Sequence, residues 1–105
     1  MILKDSQKTV LFCLENGGII LNETVHDLKI MPQYLWAVKT GIKGFEIRKN
    51  DREFQVGDIL RLREYKDGQY TGRLVLGRIT FITSFEQKDN YVVLNFKRLR
   101  LDEAV

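Results

Sequence analysis

The stretch Thr40-Gly41-Ile42-Lys43-Gly44-Phe45-Glu46-Ile47-Arg48-Lys49-Asn50-Asp51 gathers the side chains of this sequence best suited to act on a ligand. Glu46 and Arg48 stand two residues apart, about 6.5 Å along a strand, so they share a face and can flank one bound group. The alternation predicts that Phe45 and Ile47 enter the core while the two charges lie on the opposite face. Lys43 falls in the turn before that strand, where it can point into a cleft bounded by a helix end. Gly41 supplies the backbone conformation that ends a helix cheaply, and Gly44 leaves room for close approach. Two chemistries are open to this set. Glu46 can activate a water as a general base, with Lys43 or Arg48 stabilising a developing oxyanion. Equally, Glu46 can accept a cytosine amino or guanine N–H proton while Arg48 contacts a phosphate or a base edge. An exposed Glu46–Arg48 pair beside a solvated lysine would use the same residues and contribute only about 0–1 kcal/mol.

Other candidates are more dispersed. His26 has no second His or Cys at ligand spacing, which argues against a zinc site; it reads as a hydrogen-bonded strand histidine. Arg61 and Arg63 share a strand face with Tyr65, and Lys49 follows Arg48 within the central phrase. This basic and aromatic mixture suits the backbone of a nucleic acid, although a solvated strand face has the same composition. Tyr34 and Trp36 fall on one helix, as packing residues or as base-stacking platforms. Lys97, Arg98 and Arg100 extend the basic set, diluted by Asp102 and Glu103. Cys13, the single cysteine, lies in the apolar run Val10–Leu14 and reads as a small buried hydrophobe. The sequence contains no P-loop, dinucleotide fingerprint or nucleophile elbow, and no cofactor or metal is expected.

The elements that must position these groups are short. Residues 7–21 fit either a hairpin turning at Asn16-Gly17-Gly18 or a short helix capped by Ser6; the hairpin is preferred. Val25–Ile30 reads as a strand. Pro32 opens a helix that places Tyr34, Leu35 and Val38 on one face and stops at Gly41. Four strands follow: Phe45–Lys49, Asp58–Tyr65, Arg73–Phe85 with Gly77 as a bulge or kink, and Tyr91–Leu99. Turns are expected at Asp67-Gly68 and Asp89-Asn90. Leu60 and Leu62 alternate with Arg61, Arg63 and Tyr65, and Val92, Leu94 and Phe96 form one face of the last strand. Short half-buried strands with one helix predict a mainly β (α+β) domain, a small barrel with the helix at its mouth.

A chain of 105 residues, 44% hydrophobic and 30% charged, matches one folded domain. The division expected is an N-terminal extension over 1–24, the barrel over 25–99 and a tail over 100–105. A net charge of +3 is compatible with a nucleic-acid partner without requiring one. No apolar run approaches the roughly 18–20 residues that cross a bilayer, the start lacks a signal-peptide layout, and a lone cysteine gives no disulfide framework, so a cytoplasmic protein without membrane association is expected.

Gly41-x-Lys43-x-x-x-x-Arg48, followed by Phe54-Gln55-Val56-Gly57-Asp58-Ile59-Leu60, resembles the signature of ASCH domains in the PUA-like superfamily. His26-Asp27-Leu28-Lys29, Pro32-Gln33-Tyr34, Phe45–Arg52 and Tyr91–Leu94 are similar to a small ASCH-like family of bacteria and phages, over roughly residues 25–99. The resemblance implies a β-barrel whose cleft accepts RNA or a modified nucleobase. Some ASCH proteins are amidohydrolases that deacetylate acetylcytidine with a lysine, the residue three positions later and a distant glutamate. The lysine corresponds to Lys43. The next position is a threonine in those enzymes but Glu46 here, and the loop Glu86–Asn90 replaces the insertion carrying the glutamate, leaving Glu86 as a poor substitute. The reading that results is an RNA- or nucleotide-binding module using Lys43, Glu46, Arg48, His26 and Gly41. The alternatives are an amidohydrolase and a protein-interaction domain that docks a partner through residues 1–24.

Overall fold

In the computed structural model, residues 7–10 and 23–100 are described. The elements run β1 (Gln7–Val10), β2 (Glu23–Ile30), α1 (Pro32–Lys39), β3 (Phe45–Lys49), β4 (Ile59–Lys66), β5 (Gln69–Thr83) and β6 (Tyr91–Leu99). The strands form one sheet in the order β1-β2-β4-β5-β6-β3, parallel between β2 and β4 and antiparallel elsewhere. This is the mainly β architecture expected: a half-barrel with, among the described residues, a single short helix. Residues 7–10 are extended and pair antiparallel with β2; the turn expected at Asn16-Gly17-Gly18 and the rest of 11–22 lie outside the described residues.

Local chemistry accounts for the elements. β4 and β5 are joined at Asp67-Gly68, where φ is 52° and 81°, the pair of positive angles that a two-residue hairpin of matching twist requires. Pro32 occupies the first turn of α1, where its missing N–H costs nothing, and Leu35 and Val38 are the helix residues that bury. Gly41 adopts φ +82° past the helix end, and the chain turns back through a hydrogen bond from Lys43 N to Ala37 O at 3.0 Å. Gly41→Ala should cost about 1 kcal/mol, because an L side chain is disfavoured in the left-handed region; urea unfolding at unchanged m-value measures it.

The core lies on the concave face. Leu28 and Ile30 of β2, Leu60 and Leu62 of β4, Val75 and Ile79 of β5, and Val92, Leu94 and Phe96 of β6 meet there, and Leu35 and Val38 close it from the helix. Gly77 is not the bulge of β5; the register shifts at Thr80, between Ile79 and Phe81. Gly77 instead makes room for a ring, since a Cβ there would lie 2.5 Å from Cδ2 of Phe96.

The two ends of the curved sheet approach each other without pairing. Among the described residues β1 pairs with β2 from Glu23 to His26, and the carbonyls of Asp27 and Lys29 follow that stretch. Arg52 donates to Asp27 O at 3.1 Å, and Arg48, on β3, donates to Lys29 O at 2.6 Å. Two guanidinium groups therefore bridge the seam of the barrel. Among the described residues no helix is long and apolar enough to cross a membrane.

Candidate functional site

β3 is held by β6 in a register that sets Glu46 opposite Leu94 and Arg48 opposite Val92. Val92 and Leu94 face the core, so Glu46 and Arg48 face inward as well. This reverses the expected polarity of the strand: Glu46 is 6% exposed, whereas Phe45 and Ile47 are 42% and 52% exposed. The alternation was legible, but a period of two says only which residues share a face. Inward charge is tolerated at this strand because the carboxylate is neutralised from both sides. Glu46 Oε1 accepts Lys43 Nζ, while Oε2 accepts Arg48 Nε at 3.0 Å and lies 2.9 Å from its Nη2.

Both cations of this triad are also tied to the backbone. Lys43 Nζ donates to Phe45 O, and Arg48 Nη2 donates to Lys29 O. The Lys43 ammonium lies 4.8 Å from the centroid of the Phe45 ring and 5.6 Å from that of Tyr34, close enough for cation–π attraction. Phe96 N bonds Gly44 O at 3.0 Å and Asn50 N bonds Asn90 O at 2.8 Å. Antiparallel pairing alternates, so even-numbered residues of β3 bond β6, and the main-chain N–H and C=O of Ile47 turn toward the seam.

Between β2, the first turn of α1 and β3 lies a cleft of about 270 Å³, lined by Lys29, Met31, Tyr34, Glu46, Ile47 and Arg48 together with Ile30. Its size is near the lower end for small-molecule sites, suiting one ring system. Both oxygens of Glu46 are engaged, which leaves the cleft richer in donors than acceptors, with the Nη1 group of Arg48 and the Ile47 amide in its wall; Lys43 lies behind Glu46, outside the lining. A planar ligand carrying carbonyl or phosphate oxygens matches this inventory.

The structure brings Lys43, Glu46 and Arg48 together and leaves His26 apart. His26 is fully buried (0%), its Nε2 lies 2.8 Å from Asp58 Oδ2, and its ring meets Phe54 edge-on with centroids 4.7 Å apart. It stands four residues, about 13 Å of strand, before Ile30 at the cleft. Asp58 Oδ2 also accepts Gln55 N at 3.0 Å, so this histidine braces the Val56-Gly57 turn against β2. Gly41 likewise shapes the approach to Lys43 without lining the cleft. Glu86 sits in an exposed turn at φ 56°.

Outside the barrel, the parallel register puts Asp27 beside Arg61 and Lys29 beside Arg63. Arg61 Nη2 donates to Asp27 Oδ2 at 2.6 Å. That hydrogen bond, reinforced by the charge of Asp27 and opposed by partial burial, raises the Arg61 pKa above its usual value. The Arg63 guanidinium lies 3.9 Å from the Tyr70 centroid, and Lys29 Nζ lies 4.3 Å from that of Tyr65. This face is therefore basic and aromatic, with Arg61 neutralised. Lys49 is exposed at the end of β3, opposite Tyr91. Sequence reasoning missed the contributions of Lys29 and Met31, and it missed Glu64, a second inward carboxylate held by Thr71 at 2.7 Å and Arg73 at 3.2 Å. No local pattern announces Lys29 and Met31, which meet β3 only through the sheet order, whereas Glu64 shares the face of Leu60 and Leu62 by alternation. Among the described residues no group of three or more His, Cys, Asp or Glu side chains could hold a metal ion.

Comparison with known proteins places this site within a family. Residues 25–96 match the model of the family described as "Domain of unknown function (DUF3850)". The chain is also 39% identical over 72 residues to a protein of Escherichia phage P2 described as "Uncharacterized 12.9 kDa protein in GpA 3'region". That match takes in 68% of this chain and 66% of the phage protein, just under two thirds of its length. Cleft, triad and seam all fall within the matched residues, and the chain belongs to the DUF3850 family.

Proposed function

We propose that this protein is an RNA- or nucleotide-binding module of the PUA-like, ASCH type, acting in the cytoplasm, with the Lys43–Glu46–Arg48 cleft as its base pocket. The observation that carries the reading is a carboxylate and two cations turned into the mouth of a barrel, where apolar residues would pack at lower cost. Glu46 fixes the two cations, and the Nη1 group of Arg48 meets acceptor atoms of the base. The main chain of Ile47 offers a donor and an acceptor side by side, the pattern by which base edges are distinguished. Tyr34, half-exposed at the rim, offers a face for stacking. Arg63, Lys29 and Lys49 lead the phosphate backbone toward the cleft.

Titration with short single-stranded RNAs at two salt concentrations tests this. Binding should weaken as salt rises, and Glu46→Gln, which keeps the side-chain volume but releases both cations from their fixed positions, should weaken it about tenfold, equivalent to roughly 1.4 kcal/mol. No binding at low salt, or unchanged affinity in Glu46→Gln, would reject the reading. The same protein incubated with acetylcytidine should leave it intact, since Glu46 has no free oxygen to serve a water. Release of acetate that disappears in Lys43→Ala would instead assign an amidohydrolase.

A further inference from the structure

Of the eight arginines, Arg48, Arg52, Arg61, Arg73 and Arg78 each pair with a carboxylate, and Arg63 stacks on Tyr70. Arg98 and Arg100 have no carboxylate partner among the described residues, and neither has Lys39. These three cations line one cleft of about 380 Å³, floored by Leu74, Leu76 and Leu99. Arg98 is fixed there, since its Nη1 donates to Lys39 O at 2.6 Å, at the carbonyl end of α1. Like charges gathered over apolar walls raise the local potential and favour an anion.

The position of this cleft gives the inference its content. The base pocket adjoins the first turn of α1, at Met31 and Tyr34; the cationic cleft adjoins its last residue, Lys39. An eight-residue helix is about 12 Å long, so the two clefts flank the same short element. Trp36 lies between them in sequence on α1 and is 61% exposed, an unusual setting for a large aromatic ring unless it has a partner.

We infer that the cleft of Lys39, Arg98 and Arg100 is a second subsite, which holds phosphates of a single-stranded nucleic acid whose base occupies the Glu46 pocket, the strand crossing α1 over Trp36. This rests on the function proposed above. It differs from it in placing phosphates at the far end of α1, on Lys39 and Arg100, groups that line a different cleft from the one that takes the base.

The test compares a ribonucleoside monophosphate with an octaribonucleotide, on the wild-type chain and on the double variant Lys39→Gln/Arg100→Gln, which spares the Arg98 contact to the helix. The octanucleotide should bind the wild type more tightly than the monophosphate does. In the double variant its affinity at low salt should fall about tenfold, and the slope of log K against log salt should become shallower by about 1.4, at roughly 0.7 per lost phosphate contact on a single strand. The monophosphate affinity should not change. If the wild type binds the monophosphate but the double variant leaves octanucleotide affinity and salt slope unaltered, the subsite is rejected while the base pocket stands. If the double variant loses both ligands equally, the two clefts are not separate subsites. A wild type that binds neither ligand rejects the pocket, and the subsite with it. Trp36→Ala gives a further measure: octanucleotide binding should weaken several-fold, and unchanged binding would remove α1 from the path.

Discussion

Replacing Glu46 by alanine should destabilise the protein by about 3 kcal/mol, the lower end of the range for breaking a buried ion pair. The loss arises less from the missing attraction than from the cations left behind. Lys43 and Arg48 keep their bonds to Phe45 O and Lys29 O, but each loses its charge partner at the mouth of the core. Both retain a route to solvent, which keeps the cost from the upper end. A urea midpoint shifted downward at constant m-value measures the effect. Exchange of the whole triad for apolar residues of similar volume, such as Lys43→Met, Glu46→Leu and Arg48→Met together, should recover much of that stability, because buried ion pairs are commonly no better than well-packed hydrophobes. Ligand binding should not return with it. If the apolar triad proved as unstable as Glu46→Ala, the three charges would be needed for folding, and a structural role would account for them without a ligand.

Gly77→Ala should cost about 2–3 kcal/mol, the upper part of the range for forcing volume into a packed core. The backbone angle at Gly77 is not among the positive ones, so the expected loss is one of space. The added methyl would meet Cδ2 of Phe96 at 2.5 Å and Cγ at 3.1 Å, and this ring is buried against the core leucines. The ring cannot swing outward without vacating its own site. Phe96→Leu in the Gly77→Ala background should therefore be less damaging than the sum of the two single changes, with a coupling of about 1 kcal/mol or more in a double-mutant cycle. Additivity within error would show that the strain lies elsewhere.

The two cases divide what the sequence displays from what it conceals. β6 is found with the bounds expected, and the Asp67-Gly68 hairpin and the helix from Pro32 to the Gly41 stop are found because each is written in neighbouring residues: alternation, a two-residue turn, a proline and a glycine. The sheet order is written nowhere locally. β3 crosses the molecule to pair with β6, and β2 runs parallel to β4. Those pairings decide that Glu46 lies inside with Leu94 and that Phe45 and Ile47 remain outside. They also place Lys29 over the same face as Arg63, and they carry His26 away from the pocket to Asp58. Gly77 showed as a position requiring glycine, but the reason is a ring from a strand that enters some twenty residues later. The cluster Lys43, Glu46 and Arg48 could be picked out because all three fall within six residues; the cleft of Lys39, Arg98 and Arg100 could not, since it joins a helix end to the last strand.

The guanidinium bridges across the seam also bear on how copies of this protein behave toward one another. A sheet that does not close presents backbone edges on which a strand from another molecule can grow, and this is a common origin of aggregation. Here the carbonyls of Asp27 and Lys29 are already occupied by Arg52 and Arg48. Both arginines act as edge blockers, and Arg48 does so from the wall of the proposed pocket. Removing Arg48 would unmask a templating edge, so its variants call for light scattering before any loss of binding is ascribed to the pocket.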